Sequence, residues 1–140
     1  MCGGMGGVLK VTISRNLVGG ENFDLRCNWN LLDPSHKKAF WHYLEREKPK
    51  VIVMAPPCTA FNALAQLFKH RQYKKYLKNW SIGVKLANLA AEVAHFQLAC
   101  GNHFLVENPE RSLFWKLKSW VSLVKKIGPA ISVIDQCMYG

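Results

Sequence analysis

Short apolar runs alternate with longer amphipathic stretches along this chain. The runs at Val51–Met54, His103–Val106 and residues 130–134 are rich in β-branched or aromatic side chains and are bounded by proline, glycine or polar residues. Runs of this length and composition are typical of buried strands. Two smaller units, residues 11–13 and residues 23–25, are interpreted as further short strand segments on the same grounds.

The longer stretches have helical periodicity. Asp33 places a side-chain acceptor before Pro34, which predicts a helix that begins there and runs to about Glu47. A second helix is predicted from about Ser81 to Cys100, and Gly101 is expected to end it. Its apolar positions step by four and three along one face: Ile82, Leu86, Leu89, Val93, Phe96 and Cys100. Shorter helical segments are predicted at residues 60–68, 112–117 and 120–127.

Helices that separate short apolar strands indicate a parallel sheet with helical crossovers. The predicted fold class is therefore α/β. A chain of 140 residues is long enough for one hydrophobic core. We expect residues 1–10, which are glycine-rich, to be disordered, and residues 11–140 to form a single domain.

The charge balance favours a polyanionic partner. The net charge is +10, from 19 lysines and arginines against 9 acidic residues. A small domain with this excess binds nucleic acid in many cases, although a generic cationic surface has the same composition. No apolar stretch reaches about 18 residues, so no membrane span is expected, and the N-terminus has no secretory pattern.

The five cysteines are widely spaced, with no CxxC pair and no cysteine–histidine pair at zinc-finger spacing. A disulfide framework and a metal site are therefore not expected. The pattern fits an intracellular, reducing compartment, either nucleus or cytoplasm. The histidines show no metal-ligand spacing and are interpreted as structural.

Candidate chemistry lies where the two best-defined strands end. The first strand leads into Pro56-Pro57-Cys58, and the second leads into Glu107-Asn108, about fifty residues later. In α/β proteins ligands collect beyond the carboxyl ends of parallel strands. A thiol and a carboxylate are therefore expected at one sheet edge. The structural alternatives are a packed core thiol for Cys58 and a helix cap for Glu107.

This pair of strand ends resembles the core of cytosine-5 DNA methyltransferases, in which a Pro-Cys carries the nucleophile and a Glu-Asn carries the acid. Phe61 matches the family's Pro-Cys-Gln-x-Phe-Ser pattern, whereas Thr59, Asn62 and Pro109 depart from the usual residues. Pro-Pro-Cys-Thr with Glu-Asn-Pro is similar to divergent members from viruses and mobile elements. The resemblance covers roughly residues 23–140.

The resemblance implies a Rossmann-like, mostly parallel methyltransferase sheet and S-adenosylmethionine as cofactor. Cys58 and Glu107 would be catalytic. The residues implied to contact the cofactor are Asp24, Leu25 and Pro57, and those implied to contact DNA are Asn108, Arg111, Lys69 and Arg71. An ordinary turn carboxylate remains the alternative for Asp24, and a solvated surface arginine remains the alternative for Arg111.

The family's cofactor loop is glycine-rich, and the matching candidate here is residues 2–7. They lie roughly twenty residues before Asp24, a short interval for the usual strand–helix–strand. We therefore expect an incomplete cofactor site. The chain is interpreted as the middle of such a fold, either a gene fragment or a reduced relative without a target-recognition domain.

The implied reaction is methylation of cytosine at C5. A thiolate from Cys58 would add to C6. Glu107, whose pKa burial would raise, would hold a proton at N3. The base must be flipped out of a duplex or already single-stranded. Two other functions stay open: an inactive nucleic-acid-binding remnant, and a cysteine hydrolase that pairs Cys58 with a histidine.

A basic and aromatic segment at residues 69–80 follows the candidate nucleophile. It interleaves lysines and an arginine with Tyr73, Tyr76 and Trp80. Cations bind phosphates and aromatic rings stack on bases, so this segment is predicted to contact DNA. The alternative is a solvated helix face whose aromatic rings point inward.

Overall fold

The computed structural model describes residues 1, 7–67, 69–128 and 131–134. Within these residues the order of elements is α1 (Gly7–Ser14), α2 (Pro34–Glu47), β1 (Val51–Met54), α3 (Ala63–Leu67), α4 (Tyr73–Ala99), β2 (His103–Val106) and α5 (Lys118–Ile127). Two 3₁₀ turns, Leu25–Cys27 and Leu113–Lys116, precede α2 and α5. None of the described helices, the 27-residue α4 included, is long and apolar enough to cross a membrane.

The two strands pair in parallel, with Val51 opposite His103 and Met54 opposite Val106. Helices α3 and α4 form the crossover between them, so the predicted strand–helix–strand order is confirmed. In the described part of the chain the sheet has two strands. The prediction of a mixed helix and strand fold with a parallel sheet is therefore confirmed.

Met1 lies along the other edge of β1. Its backbone nitrogen donates to the carbonyl of Val53 at 2.9 Å, and its carbonyl accepts from the N–H of Ala55 at 3.1 Å. This pair of bonds is the pattern that a parallel neighbour makes. β1 is therefore flanked by β2 on one edge and by Met1 on the other.

The core lies between the sheet, α2, α4 and α5. Small residues on α4 let the neighbouring elements approach closely, and Trp120 of α5 donates its indole N–H to the carbonyl of Ala87 at 3.0 Å. Gln97 is fully buried among these apolar side chains. The buried residues of α4 are Gly83, Leu86, Ala87, Leu89, Ala90, Ala91, Val93, Ala94 and Gln97. The predicted stripe is thus correct at its centre, while Cys100 is exposed.

Helix α2 has the predicted bounds. The carboxylate of Asp33 accepts from the backbone N–H groups of Ser35 and His36, and Pro34 is the first helical residue. Phe40 and Leu44 face the core. Helix α4, by contrast, begins at Tyr73 rather than near Ser81, so the basic and aromatic segment forms its first turns.

Three predicted strand segments are wrong or fall partly outside the described residues. Residues 11–13 lie in α1, where Val11 and Ile13 stay 59% and 60% exposed. Asp24 caps the 3₁₀ turn Leu25–Cys27 and ends no strand. Residues 131–134 have no regular structure and are exposed, and Ala130 lies outside the described residues. A strand needs a pairing partner, which β-propensity alone does not supply.

The glycine-rich start divides between described and undescribed residues. Residues 2–6 lie outside the described part, whereas Gly7 begins α1. The interval before Asp24 therefore contains a helix, while Asp24 itself ends no strand, so the usual strand–helix–strand is not completed there.

Candidate active site

The ends of β1 and β2 are joined by two hydrogen bonds. The backbone N–H of Glu107 donates to the carbonyl of Met54, and the side-chain Nδ2 of Asn108 donates to the carbonyl of Pro56, both at 2.9 Å. The two segments therefore leave the sheet at the same edge and are held together. The sequence-based prediction that the Cys58 and Glu107 segments meet is confirmed at the level of the backbone.

The side-chain nitrogen of Asn108 has a hydrogen-bond partner, whereas its side-chain oxygen has none among the described residues. A carbonyl can only accept, so the bond to Pro56 identifies Nδ2 as the donor. The Oδ1 atom is buried and has no hydrogen-bond partner among the described residues. A buried acceptor of this kind is costly unless something donates to it. It is placed to receive a donor at the edge shared by the two segments.

Cys58 lies in a tight turn. Its carbonyl accepts from the N–H of Phe61 at 2.9 Å, and the carbonyl of Phe61 accepts from the N–H of Leu113 at 3.0 Å. The thiol is not in a disulfide and is half-buried. Cys58 is thus partly accessible and does not have the full burial of a packed core thiol.

Phe61 anchors that turn in the core. Its ring is 1% exposed and meets Trp80 and Phe114 edge-on, at centroid distances of 5.3 Å and 6.0 Å. Gly83 on α4 makes this possible, because a Cβ there would lie 3.1 Å from the Phe61 ring and from Cβ of Ala60. Sequence reasoning missed Gly83, although a glycine inside a long helical pattern is a signal of close packing.

Glu107 departs from the expectation. Its side chain is exposed, so the burial that was expected to favour its protonated form is absent in the free protein. The cap of the following 3₁₀ turn is Ser112, whose Oγ accepts from the N–H of Phe114. Ser112, and not Glu107, is therefore the cap of this 3₁₀ turn. Arg111 is also exposed, at the turn before Ser112.

Asp24 and Leu25 lie in the turn between α1 and α2. Asp24 accepts from the N–H of Arg26 at 2.9 Å, and Leu25 is 69% exposed. The neighbouring Phe23 fixes the turn, because its buried ring contacts Trp29, Phe40 and Tyr43 at centroid distances between 4.8 and 5.0 Å. Pro57 is exposed beside Cys58, whereas Pro56 is buried.

The basic and aromatic segment has two kinds of side chain. Tyr76 and Trp80 stack on each other at 5.9 Å and are half-buried, as the structural alternative expected. Lys69 places its Nζ 5.7 Å from the centre of the Tyr76 ring. Arg71 and the other cations of the segment are exposed, so the segment also has a charged outer face.

A cavity of about 120 Å³ lies between the Cys58 turn and the start of α4. Its polar lining comes from Thr59, Gln72, Lys75, Tyr76 and Asn79. Thr59 directly follows Cys58, so the cavity adjoins the thiol along the chain. Gln72, Lys75, Tyr76 and Asn79 belong to the segment that was predicted to contact DNA, but the cavity itself was not predicted.

His36, His42 and His103 do not serve Cys58 in this arrangement. His36 accepts from the N–H of Asn30, and His42 lies 4.0 Å from Glu45. His103 begins β2, at the opposite end of the sheet from Cys58. In residues 1, 7–67, 69–128 and 131–134, no three His, Cys, Asp or Glu side chains are grouped in a way that could hold a metal ion.

Comparison of this chain with protein-family models, with curated proteins and with solved structures found no match. What the site does must therefore be inferred from its own residues and contacts.

Proposed function

We propose that this domain is a cytosine-5 DNA methyltransferase-like domain that uses Cys58 as a nucleophile. The observation that carries the proposal is the junction at the sheet edge. There the side chain of Asn108 donates a hydrogen bond to the carbonyl of Pro56, and the backbone N–H of Glu107 donates one to the carbonyl of Met54. It brings a half-buried thiol and a carboxylate to the carboxyl ends of two parallel strands, where α/β proteins bind ligands. The fold in this proposal is a Rossmann-like methyltransferase sheet.

The position of Met1 supports a cofactor site beside this junction. Met1 pairs with β1 as a parallel neighbour, and the glycine-rich residues 2–6 join it to α1. A sheet-paired residue followed by glycines and a helix is similar in order to the strand, glycine-rich turn and helix that build dinucleotide and related cofactor sites. S-adenosylmethionine supplies an electrophilic methyl group. Asp24, Leu25 and Pro57 are the residues proposed to contact it, through a carboxylate acceptor and two exposed apolar surfaces.

Cys58 is proposed to make C5 of cytosine reactive. The Cys58 thiol loses its proton and its sulfur forms a bond to C6, which places electron density on C5. C5 would then bond to the methyl carbon as the methyl–sulfonium bond breaks, which leaves S-adenosylhomocysteine. A base would remove the C5 proton, and the C6–sulfur bond would break to release the thiolate.

Glu107 and Asn108 are proposed to act on the same base. Glu107 would hold a proton at N3 while the thiolate adds, and Asn108 Oδ1 is an unfilled acceptor near the same edge. Because Glu107 is exposed in the free protein, the bound base must cover it to exclude water from the proton. Arg111, Lys69 and Arg71 are proposed to contact the phosphates of a flipped or single-stranded cytosine.

Covalent trapping tests the reaction. DNA that carries 5-fluorocytosine blocks the last step, because the fluorine at C5 cannot leave as a proton does. With S-adenosylmethionine present, the wild-type protein should give a species on denaturing gels whose mass equals protein plus DNA. Cys58→Ser should abolish that species, while Cys100→Ser, which changes an exposed cysteine elsewhere, should leave it unchanged.

An inactive nucleic-acid-binding remnant is the second candidate, and the exposure of Glu107 favours it. A remnant would bind DNA but give no trapped species and no heat with S-adenosylmethionine in calorimetry. A folded protein that binds both DNA and cofactor yet traps nothing would contradict the Cys58 mechanism.

A further inference from the structure

The cavity beside Cys58 lies in a region of the chain that has only positive charge. Between residues 48 and 91 there are eight lysines and arginines and no aspartate or glutamate. The structure describes all of these residues except 68. Salt bridges of the described residues involve Lys37, His42 and Arg46, all of which lie before this region. The cations near the cavity are therefore not neutralised by these pairs, and the region attracts anions.

The polar lining of the cavity supplies several hydrogen-bond donors. Lys75 offers an ammonium group, Gln72 and Asn79 offer amides, and Thr59 offers a hydroxyl, with no carboxylate among the lining residues. The volume of about 120 Å³ is several times the ~30 Å³ that a water molecule occupies in the liquid, so a phosphate group fits.

A nucleobase fits the same cavity less well. The ring of Tyr76 is the aromatic surface in the lining, and it is already stacked near Trp80 and lies under the Nζ of Lys69. Its hydroxyl is within 3.4 Å of both side-chain ends of Gln66. Tyr76 therefore serves as a fixed wall, and each of the other polar lining groups can donate to phosphate oxygens.

We propose that this cavity binds a backbone phosphate of the DNA strand whose cytosine reaches Cys58. The inference rests on the proposed function in naming that strand as the source of the phosphate. Thr59 lines the cavity, and its Cα lies about 3.8 Å from that of Cys58 across one peptide bond. A phosphate held there would lie against the Cys58 turn, so it would fix the position of the target base along the strand.

The test is the salt dependence of binding to a short, fluorescently labelled single-stranded oligonucleotide, followed by polarisation. Lys75→Gln should weaken binding several-fold and reduce the slope of log affinity against log salt by about 0.7, the value for one lost phosphate contact. Lys125→Gln on α5 removes the same charge from an exposed position away from the cavity and should change neither quantity. Asn79→Ala should weaken binding without changing the slope, because it removes a neutral donor.

Equal losses in Lys75→Gln and Lys125→Gln would show a diffuse charge effect and overturn the site. Competition by deoxycytidine monophosphate distinguishes the source of the phosphate. If the free nucleotide competes as strongly as the unlabelled oligonucleotide, the cavity does not serve a DNA strand. The two proposals can fail separately. If 5-fluorocytosine traps no protein but oligonucleotide binding still depends on Lys75, the methyltransferase proposal is contradicted and the phosphate site is retained.

Discussion

The side-chain amide of Asn108 and the carbonyl oxygen of Pro56 are 2.9 Å apart, in a hydrogen bond that spans 52 positions of the sequence. With the bond from Glu107 to Met54, it fastens the segment after β2 to the segment after β1. The Cys58 turn and the Glu107 segment are therefore expected to behave as one structural unit.

Asn108→Ala should loosen that unit. The substitution leaves the buried Pro56 without its side-chain donor, and an unpaired buried polar group costs about 1–3 kcal/mol. We expect a fall of that size in the free energy of unfolding, measured by urea denaturation, and a loss of 5-fluorocytosine trapping. Asn79→Ala, at an exposed position on α4, is the matched control for stability alone and should leave the free energy of unfolding within about 0.5 kcal/mol of wild type. Wild-type stability in Asn108→Ala would contradict the fastening role.

Gln97 should have a similar role at the other end of the sheet. Its Nε2 donates to the carbonyls of Pro49 and His103, each at 2.9 Å, so one side chain joins the approach to β1 with the start of β2. Gln97→Ala removes both bonds and leaves a cavity, and should destabilise the protein by about 2–4 kcal/mol.

Gln97→Met separates the two causes. It fills most of the volume and also removes Oε1, which is buried without a partner in the described residues. It should therefore cost clearly less than Gln97→Ala in the same denaturation experiment. Equal costs would mean that the two hydrogen bonds, and not the packing, carry the whole effect.

Local signals in the sequence predicted part of this fold well. The bounds of α2 follow from Asp33 and Pro34, because a cap and a proline act within one helical turn. Both strands were predicted from their apolar runs, and the meeting of the Cys58 and Glu107 segments follows from the parallel order of those strands.

Properties that depend on distant contacts were not predictable in this way. Residues 11–13 have the composition of a strand, but they lie in α1. Glu107 was expected to be buried because the implied acid role requires it, yet burial depends on what covers the sheet edge. Gln97 is polar and reads as a surface residue, and only the carbonyls of Pro49 and His103 explain its burial.

The cap of α2 predicts a pH dependence. The hydroxyl of Ser35, followed by the backbone N–H groups of His36 and Ser35, donates to Asp33 and holds the pKa of that carboxyl below its ordinary value. A lowered pKa in the folded state means that the carboxylate stabilises the protein above the ordinary carboxyl pKa. This stabilisation is lost as the pH falls through the lowered value.

The stability difference between wild type and Asp33→Asn should therefore shrink on acidification below about pH 4, where an unfolded aspartate gains its proton. Asparagine still caps a helix but does not titrate, so it is the matched variant. Ser35→Ala should move the pKa of Asp33 back up, as followed by NMR titration of the carboxyl carbon. A difference curve that is flat through this range would show that the cap is not coupled to folding.

Gly83 should link the stability of α4 to the position of Cys58. On propensity alone, Gly83→Ala would stabilise a helix by about 1 kcal/mol. Here the new Cβ would lie 3.1 Å from Ala60 Cβ and 3.1–3.2 Å from the Phe61 ring. That ring is held between Trp80 and Phe114 and cannot withdraw easily, so the gain in stability should be absent in Gly83→Ala.

Gly83→Val should destabilise the protein by about 1–3 kcal/mol and slow trapping, because the displaced Phe61 carries the Cys58 turn with it. Ser81→Ala, at an exposed position two residues earlier on α4, should leave trapping unchanged. A more stable Gly83→Ala protein with a normal trapping rate would show that the turn adapts to the added methyl group.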